Sequence, residues 1–322
     1  RQEINRLLFF HHSIHQNSRW ENETIALENS IELRDDFSLR GRCEMFRVNL
    51  DSMVAAHQLH QGSNLRGHLV WARYQHFQRL LSIRNVPVES EDEEILQFFR
   101  DTNDPDLYME RNAMSRSEFR KLVSPLVRSG HLIQDYRGGF RTVEPLRKID
   151  LWEIKRNYLR KLVEDYPVIT LKQVERLAGA SFSPEEISDV MHDFEDDGTL
   201  IKGFLVDDLQ DICWGRLDML EGMGKISRTR DLVIPPSDPL IHYFGSLLRE
   251  RFGFGSAYLV FHKEEPIAAF KANTRNDKIE LTDFVGDSEL EKEAIRVIKE
   301  FAWEHDMPLS GKLFDRIRSR IV

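Results

Sequence analysis

The pattern that most constrains this chain occurs twice: a serine-capped amphipathic helix, a glycine stop, then two short alternating strands. The first copy is MSRSEFRKLVSPLVRSGHLIQDYRGGFRTV, residues 114–143. Ser115 stands three residues before Glu118, the spacing of a capping box. Phe119, Leu122, Val123, Leu126 and Val127 fall on one helical stripe. Arg116, Arg120, Lys121 and Arg128 fall on the opposite side. Gly130 ends the helix, and Pro125 predicts a kink or two shorter pieces. HLIQDY and FRTV alternate as strands around Arg137-Gly138-Gly139, read as a two-residue glycine turn, with Arg141 on the second strand.

Upstream, residues 65–84 and 90–101 read as two further helices, the second capped by Ser90. Three helices and a hairpin follow the order of a winged helix, in which the third helix enters the major groove and the hairpin meets the backbone.

The second copy has the opposite charge. Helices are expected over 151–166, 170–179 and 183–198, then a hairpin over 199–215. Ser183, Pro184 and Glu186 mark the start of the third helix, and Ile187, Val190, Met191 and Phe194 form its inward stripe. Its outer side carries Glu185, Glu186, Asp189, Asp193, Glu195, Asp196 and Asp197, which would repel a phosphate backbone. This unit therefore reads as scaffold or as a face for a protein partner.

Charge is local. The net charge of the chain is −9, yet residues 111–148 hold nine basic and three acidic side chains. Lysine is nearly absent from the first 150 residues, so the basic surface there is built from arginine, whose planar fork suits phosphate and base edges. No apolar run is long enough to span a membrane. Cys43 and Cys213 are too few for a disulfide framework and read as buried thiols in a reducing compartment, hence a cytoplasmic, nucleoid-associated protein.

The remainder reads as a small α+β domain. Arg216, Lys225, Arg228 and Arg230 lie in a basic connector over 216–230. GMGKIS within it lacks the spacing of a phosphate loop. Asp238 caps a helix at Pro239, three strands form an antiparallel meander, and residues 288–305 form a helix with Ile295, Ile298, Phe301 and Ala302 inward.

RDLVIPPSDPLIHYFGSLLRERFGFG, followed by a strand, a charged turn and PIAAFKAN, resembles the C-terminal part of the AlkZ/YcaQ-type DNA glycosylases for alkylated and crosslinked bases. DGTLIKGFLVDDLQDICW and PSDPL with YLVFHKEEPIAA also resemble the C-terminal region of Lhr-type DNA helicases. Either resemblance, over residues 110–305, implies DNA binding by tandem winged helices and a β-rich domain. The glycosylases position a water with a Gln-aliphatic-Gln motif. This chain has none; its nearest variants are Gln58-Leu59-His60 and His76-Phe77-Gln78. His76 and Gln78 are thus the only catalytic candidates, and the plain reading places them on an exposed helical face. His11 and His15 stand at metal-binding spacing without a further ligand, so no metal and no cofactor is expected. Trp20, Trp71 and Trp152 read as core.

The expected fold is mainly helical α+β. It comprises an N-terminal region (1–64), two winged-helix units (65–149 and 150–216) and a small antiparallel sheet domain with a C-terminal helix (217–322). The expected function is DNA binding, to duplex or to branched or damaged DNA, in a repair or helicase-type protein without chemistry of its own. Two alternatives stand beside it: a glycosylase for bulky bases, and an adaptor using the acidic helix 183–198. A helicase motor, in this chain ahead of Arg1 or in another, is the partner implied by the second resemblance.

Overall fold

The computed structural model describes residues 2–11, 32, 50–164, 166–205, 211–221, 231–238, 240–275 and 278–315. Arg228, Arg230, Lys225, His12, His15, Trp20 and Cys43 lie outside these residues.

The first sheet has four strands in the order β2-β1-β3-β4: β1 His60–Ser63, β2 Leu69–Ala72, β3 Leu132–Gln134 and β4 Phe140–Thr142. Residues 65–84 are therefore not one helix. Leu69–Ala72 pairs with β1, and the helix begins only at Tyr74. Strand β1 also pairs with β3 through Gln61 and Gln134, so this sheet draws on residues ahead of position 65.

Four helices follow β2: α3 Tyr74–Arg84, α4 Glu93–Asp101, α5 Pro105–Arg111 and α6 Arg116–Ser129 (α1 is Gln2–His11 and α2 Leu50–His57). Helix α4 starts at Glu93, three residues after Ser90, and its N-cap residue is Asp92, which makes no side-chain cap. Helix α5 was not foreseen; Asp104 caps it, accepting from Asp106 N and Leu107 N, and Pro105 opens it. Helix α6 runs unbroken through Pro125. Its stripe of Phe119, Val123 and Leu126 packs with Ile95, Leu96, Phe99, Tyr108 and Phe140.

The next unit contains α7 Leu151–Glu164, β5 Val168–Thr170, α8 Leu171–Ala178, α9 Pro184–Asp196, β6 Leu200–Gly203 and β7 Cys213–Arg216. Its three strands lie in the order β5-β7-β6, so the expected hairpin gains a third strand from between two helices. Ile187, Val190, Met191 and Phe194 are buried. Cys213 is a buried free thiol, and Trp152 is exposed rather than core.

After α10 Leu217–Glu221 comes a five-stranded sheet, ordered β12-β11-β10-β9-β8, with β8 Leu232–Ile234, β9 Tyr258–His262, β10 Glu265–Arg275, β11 Lys278–Gly286 and β12 Leu309–Ser310. The expected three-strand meander is its centre. Helices α11 Leu240–Tyr243 and α12 Gly245–Phe252 precede it, with Asp238 Oδ1 accepting from Leu240 N at 2.8 Å. Helix α13 Glu291–Glu304 buries Ile295, Ile298, Phe301 and Ala302 on the sheet.

One core joins these parts. Leu8 and Phe9 of α1 are fully buried in the same cluster as Val190 and Phe194 of α9 and Phe244 and Phe261 of the C-terminal region. Phe9 sits edge-on to Phe261 at 4.9 Å. Asn5 Nδ2 donates to Glu264 O at 2.8 Å, and Arg6 Nε lies 3.4 Å from the Glu264 carboxylate. Among the described residues, no helix is long and apolar enough to cross a membrane.

Candidate nucleic-acid interface

Helix α6 presents its cations because its other side is spent on the core. Ser115 Oγ accepts from Glu118 N at 3.3 Å, and the Glu118 carboxylate accepts from Ser115 N at 2.9 Å. Hydrogen bonds from the Ser115 hydroxyl and backbone hold the Glu118 pKa below its ordinary value. Gly130 then closes the helix at φ +90. Arg116, Arg120, Lys121 and Arg128 are all exposed. Arg116 lies 3.8 Å from Asp106, a pair so open to water that it holds neither group firmly. Arg120, Lys121 and Arg128 form no ion pair among the described residues.

The hairpin beyond α6 differs from the expected glycine turn. Gln134 pairs with Phe140, leaving a five-residue loop, 135–139. Asp135 organises it: its Oδ1 accepts from Arg137 N and Gly139 N, both at 2.8 Å. Gly138 sits at φ +88, and a Cβ on Gly139 would come within 2.8 Å of Asn103 O. Arg137 and Arg141 are exposed. The Arg137 guanidinium lies 5.2 Å from the Tyr136 ring centroid, and that of Arg141 4.0 Å from Tyr74. The loop and the start of α6 share one end of the unit. Asn103 O accepts from Phe140 N at 2.9 Å, and three residues on, Asp106 faces Arg116.

His76 and Gln78 do not lie on an open face. The His76 side chain is only 10% exposed, and its Nε2 is 3.2 Å from Glu32 Oε1. Gln78 is half-buried, its Nε2 donating to Glu144 O at 3.1 Å. Glu32 is the centre of a buried polar knot: Asn64 Nδ2 donates to its Oε2 at 2.6 Å, and Arg66 stands 3.7 Å away. Burial opposes the charge on Glu32. The hydrogen bond and charge of His76, with Arg66 and Asn64, outweigh it and hold the carboxyl below the usual range. Arg84 extends the knot, donating to Ser63 O at 3.0 Å and to Asn64 O. A carboxylate and an imidazole in contact can share a proton, the elementary requirement of acid–base chemistry. Among the described residues no group of three or more metal-binding side chains occurs.

Much of the acid on α9 is answered from within. Lys155 Nζ meets Glu186 at 2.5 Å, Arg156 Nε meets Asp193 at 3.2 Å, and Arg160 meets Asp197 at 3.0 Å, all three cations standing on α7. Lys202 of β6 lies 3.7 Å from Glu195. Glu185, Asp189 and Asp196 are exposed.

Sequence reasoning missed Glu32, Asn64, Arg66 and Tyr74. No local spacing could have joined Glu32 to His76 across 44 positions. Tyr74 could be suspected only once β4 is known to lie beside it.

No model of a known protein family and no curated relative matches the sequence. Among solved structures, the Streptomyces sahachiroi DNA glycosylase AlkZ superposes with a TM-score of 0.69 at 12% identity, covering 96% of this chain and 98% of that one. The chain therefore has the fold of that DNA glycosylase over nearly its whole length.

Proposed function

We propose that this protein binds DNA in a repair role, with α6 set against the duplex and the loop 135–139 beside it. In this reading α3, α4 and α6 with β3 and β4 form a winged helix that contacts DNA. The unit from α7 to β7 is a second winged helix that serves as scaffold. The observation that carries it is the face of α6, where Arg120, Lys121 and Arg128 stand in water without an anionic partner among the described residues. Arg116, Arg120, Lys121 and Arg128 contact phosphates or base edges; Arg137 and Arg141 serve at the hairpin. Arg228 and Arg230, outside the described residues, are proposed as adjoining phosphate contacts. Fluorescence anisotropy on a labelled duplex tests this. Replacing Arg116 and Arg120 by Ala is expected to weaken binding by about 1–3 kcal/mol for a base contact, or to flatten the salt dependence for phosphate contacts. Unchanged affinity and unchanged salt slope would remove α6 from the interface.

A second reading, glycosylase chemistry, is favoured by the near-complete overlap with a DNA glycosylase. Of the two families the sequence resembles, this overlap speaks for the glycosylases. The candidate groups are His76, with Glu32 against it, and Gln78. Base release from duplex carrying bulky alkylated or crosslinked bases, abolished in His76→Ala with folding intact, supports it. Absence of release across such lesions counts against it. The adaptor reading is weakened by the pairing of Glu186, Asp193, Glu195 and Asp197 within the chain.

A further inference from the structure

One end of the first sheet carries two tyrosines that α6 does not use: Tyr136, which is exposed, and Tyr74, which is half-buried at the start of α3. Gln61 pairs with Gln134 and Ile133 with Arg141, so alternation along the strands puts His60, Asp135 and Arg141 on one face. There the Arg141 guanidinium lies 4.0 Å from the ring centroid of Tyr74. The Tyr74 hydroxyl donates to Thr142 O at 3.3 Å and accepts from Glu144 N at 3.4 Å, which fixes the ring. The His60 ring is 6.2 Å from Tyr74. Burial and the Arg141 charge push its imidazole pKa down, against the pull of Asp135. A second pair stands in the adjoining loop: Tyr136 is 45% exposed, and Arg137 Nε donates to its hydroxyl at 2.7 Å.

The Tyr136–Arg137 pair thus lies at the end of the unit where Asn103 and Asp106 connect the loop to the start of α6, while the Tyr74–Arg141 pair lies on the other face of the sheet, at the start of α3. A base inside a duplex shows a protein only its edges. An unpaired base shows its face, and stacking on an aromatic ring contributes about 1–3 kcal/mol per base whatever the base. Guanidinium groups beside the ring add attraction to phosphate and to the base plane. We propose that this end of the sheet holds unpaired nucleotides next to the duplex on α6, so that the preferred ligand is DNA with an unpaired stretch. The proposal rests on the DNA-binding reading above.

Anisotropy with a continuous duplex, the same duplex carrying a central unpaired bubble, and its RNA counterpart tests it. The wild-type protein is expected to bind the DNA bubble about tenfold more tightly than the duplex. Tyr136→Ala is expected to lower bubble affinity about tenfold more than duplex affinity, so that the preference is lost, while Tyr136→Phe keeps the preference. Tyr136 is exposed, and an unchanged urea midpoint in both variants verifies folding. Equal wild-type affinity for bubble and duplex, or equal weakening of both by Tyr136→Ala, overturns the proposal and leaves duplex binding standing. Tighter binding to the RNA bubble overturns the assignment to DNA. Failure to bind any of the three overturns the DNA-binding reading as well.

Discussion

Glu32 is held in a charged state that its burial alone would forbid. Its pKa is depressed below the unfolded value of 4.5, so its contribution to stability is present above that value and is lost as pH falls through the folded one. Glu32→Gln keeps the shape and removes the charge, leaving Arg66 and His76 without their anion. A loss of about 3 kcal/mol at neutral pH is expected from urea unfolding, in line with breaking a buried pair. That loss should shrink as the medium becomes acidic enough to protonate the wild-type carboxylate. An equal loss at both pH values would show that shape, and not charge, matters at this position. The same residue marks the limit of reading a site from sequence. Its partners sit 32, 34 and 44 positions away, and nothing in the local spelling around it differs from that of an ordinary surface glutamate.

Elements whose rules are local were legible. The capping boxes at Ser115 and Ser183 form as spelled; the stripe of α9 is wholly buried, and that of α6 is buried at Phe119, Val123 and Leu126, with Leu122 and Val127 half-buried. The box of Thr170 and Gln173 obeys the same rule and was open to the same reading. The strand Leu69–Ala72 was not, because it exists through its pairing with His60–Ser63. Nor was the true length of the loop 135–139, within which the Asp135 carboxylate takes the N–H groups of Arg137 and Gly139. Two substitutions test these devices. Ser115→Ala is expected to cost about 1 kcal/mol in thermal or urea unfolding. Because the cap frames the first cations of α6, the variant is also expected to weaken duplex binding. Gly138→Ala forces a Cβ into a left-handed backbone at φ +88 and is expected to cost about 1–2 kcal/mol.

At the scale of the molecule, the charge is divided between neighbouring units. The cations of α6 face water, whereas those of α7 are largely occupied by the carboxylates of α9. Only the first set is available to release counterions, so a net charge of −9 is compatible with DNA affinity that falls steeply with salt. Reversing Arg156 to Glu is expected to disturb α9 and stability while leaving the salt slope of binding unchanged. A flattened slope in that variant would move the interface to the second unit.

The docking of α1 has a consequence for how the protein is made. Leu8 and Phe9 are synthesised well before Phe244 and Phe261, which supply aromatic groups around Phe9. Until those are synthesised, the socket around Phe9 is incomplete. Closure of this core therefore waits for Phe261 to be made, and Phe9→Ala, which removes the plug, is expected to cost about 3–5 kcal/mol and to lower soluble yield.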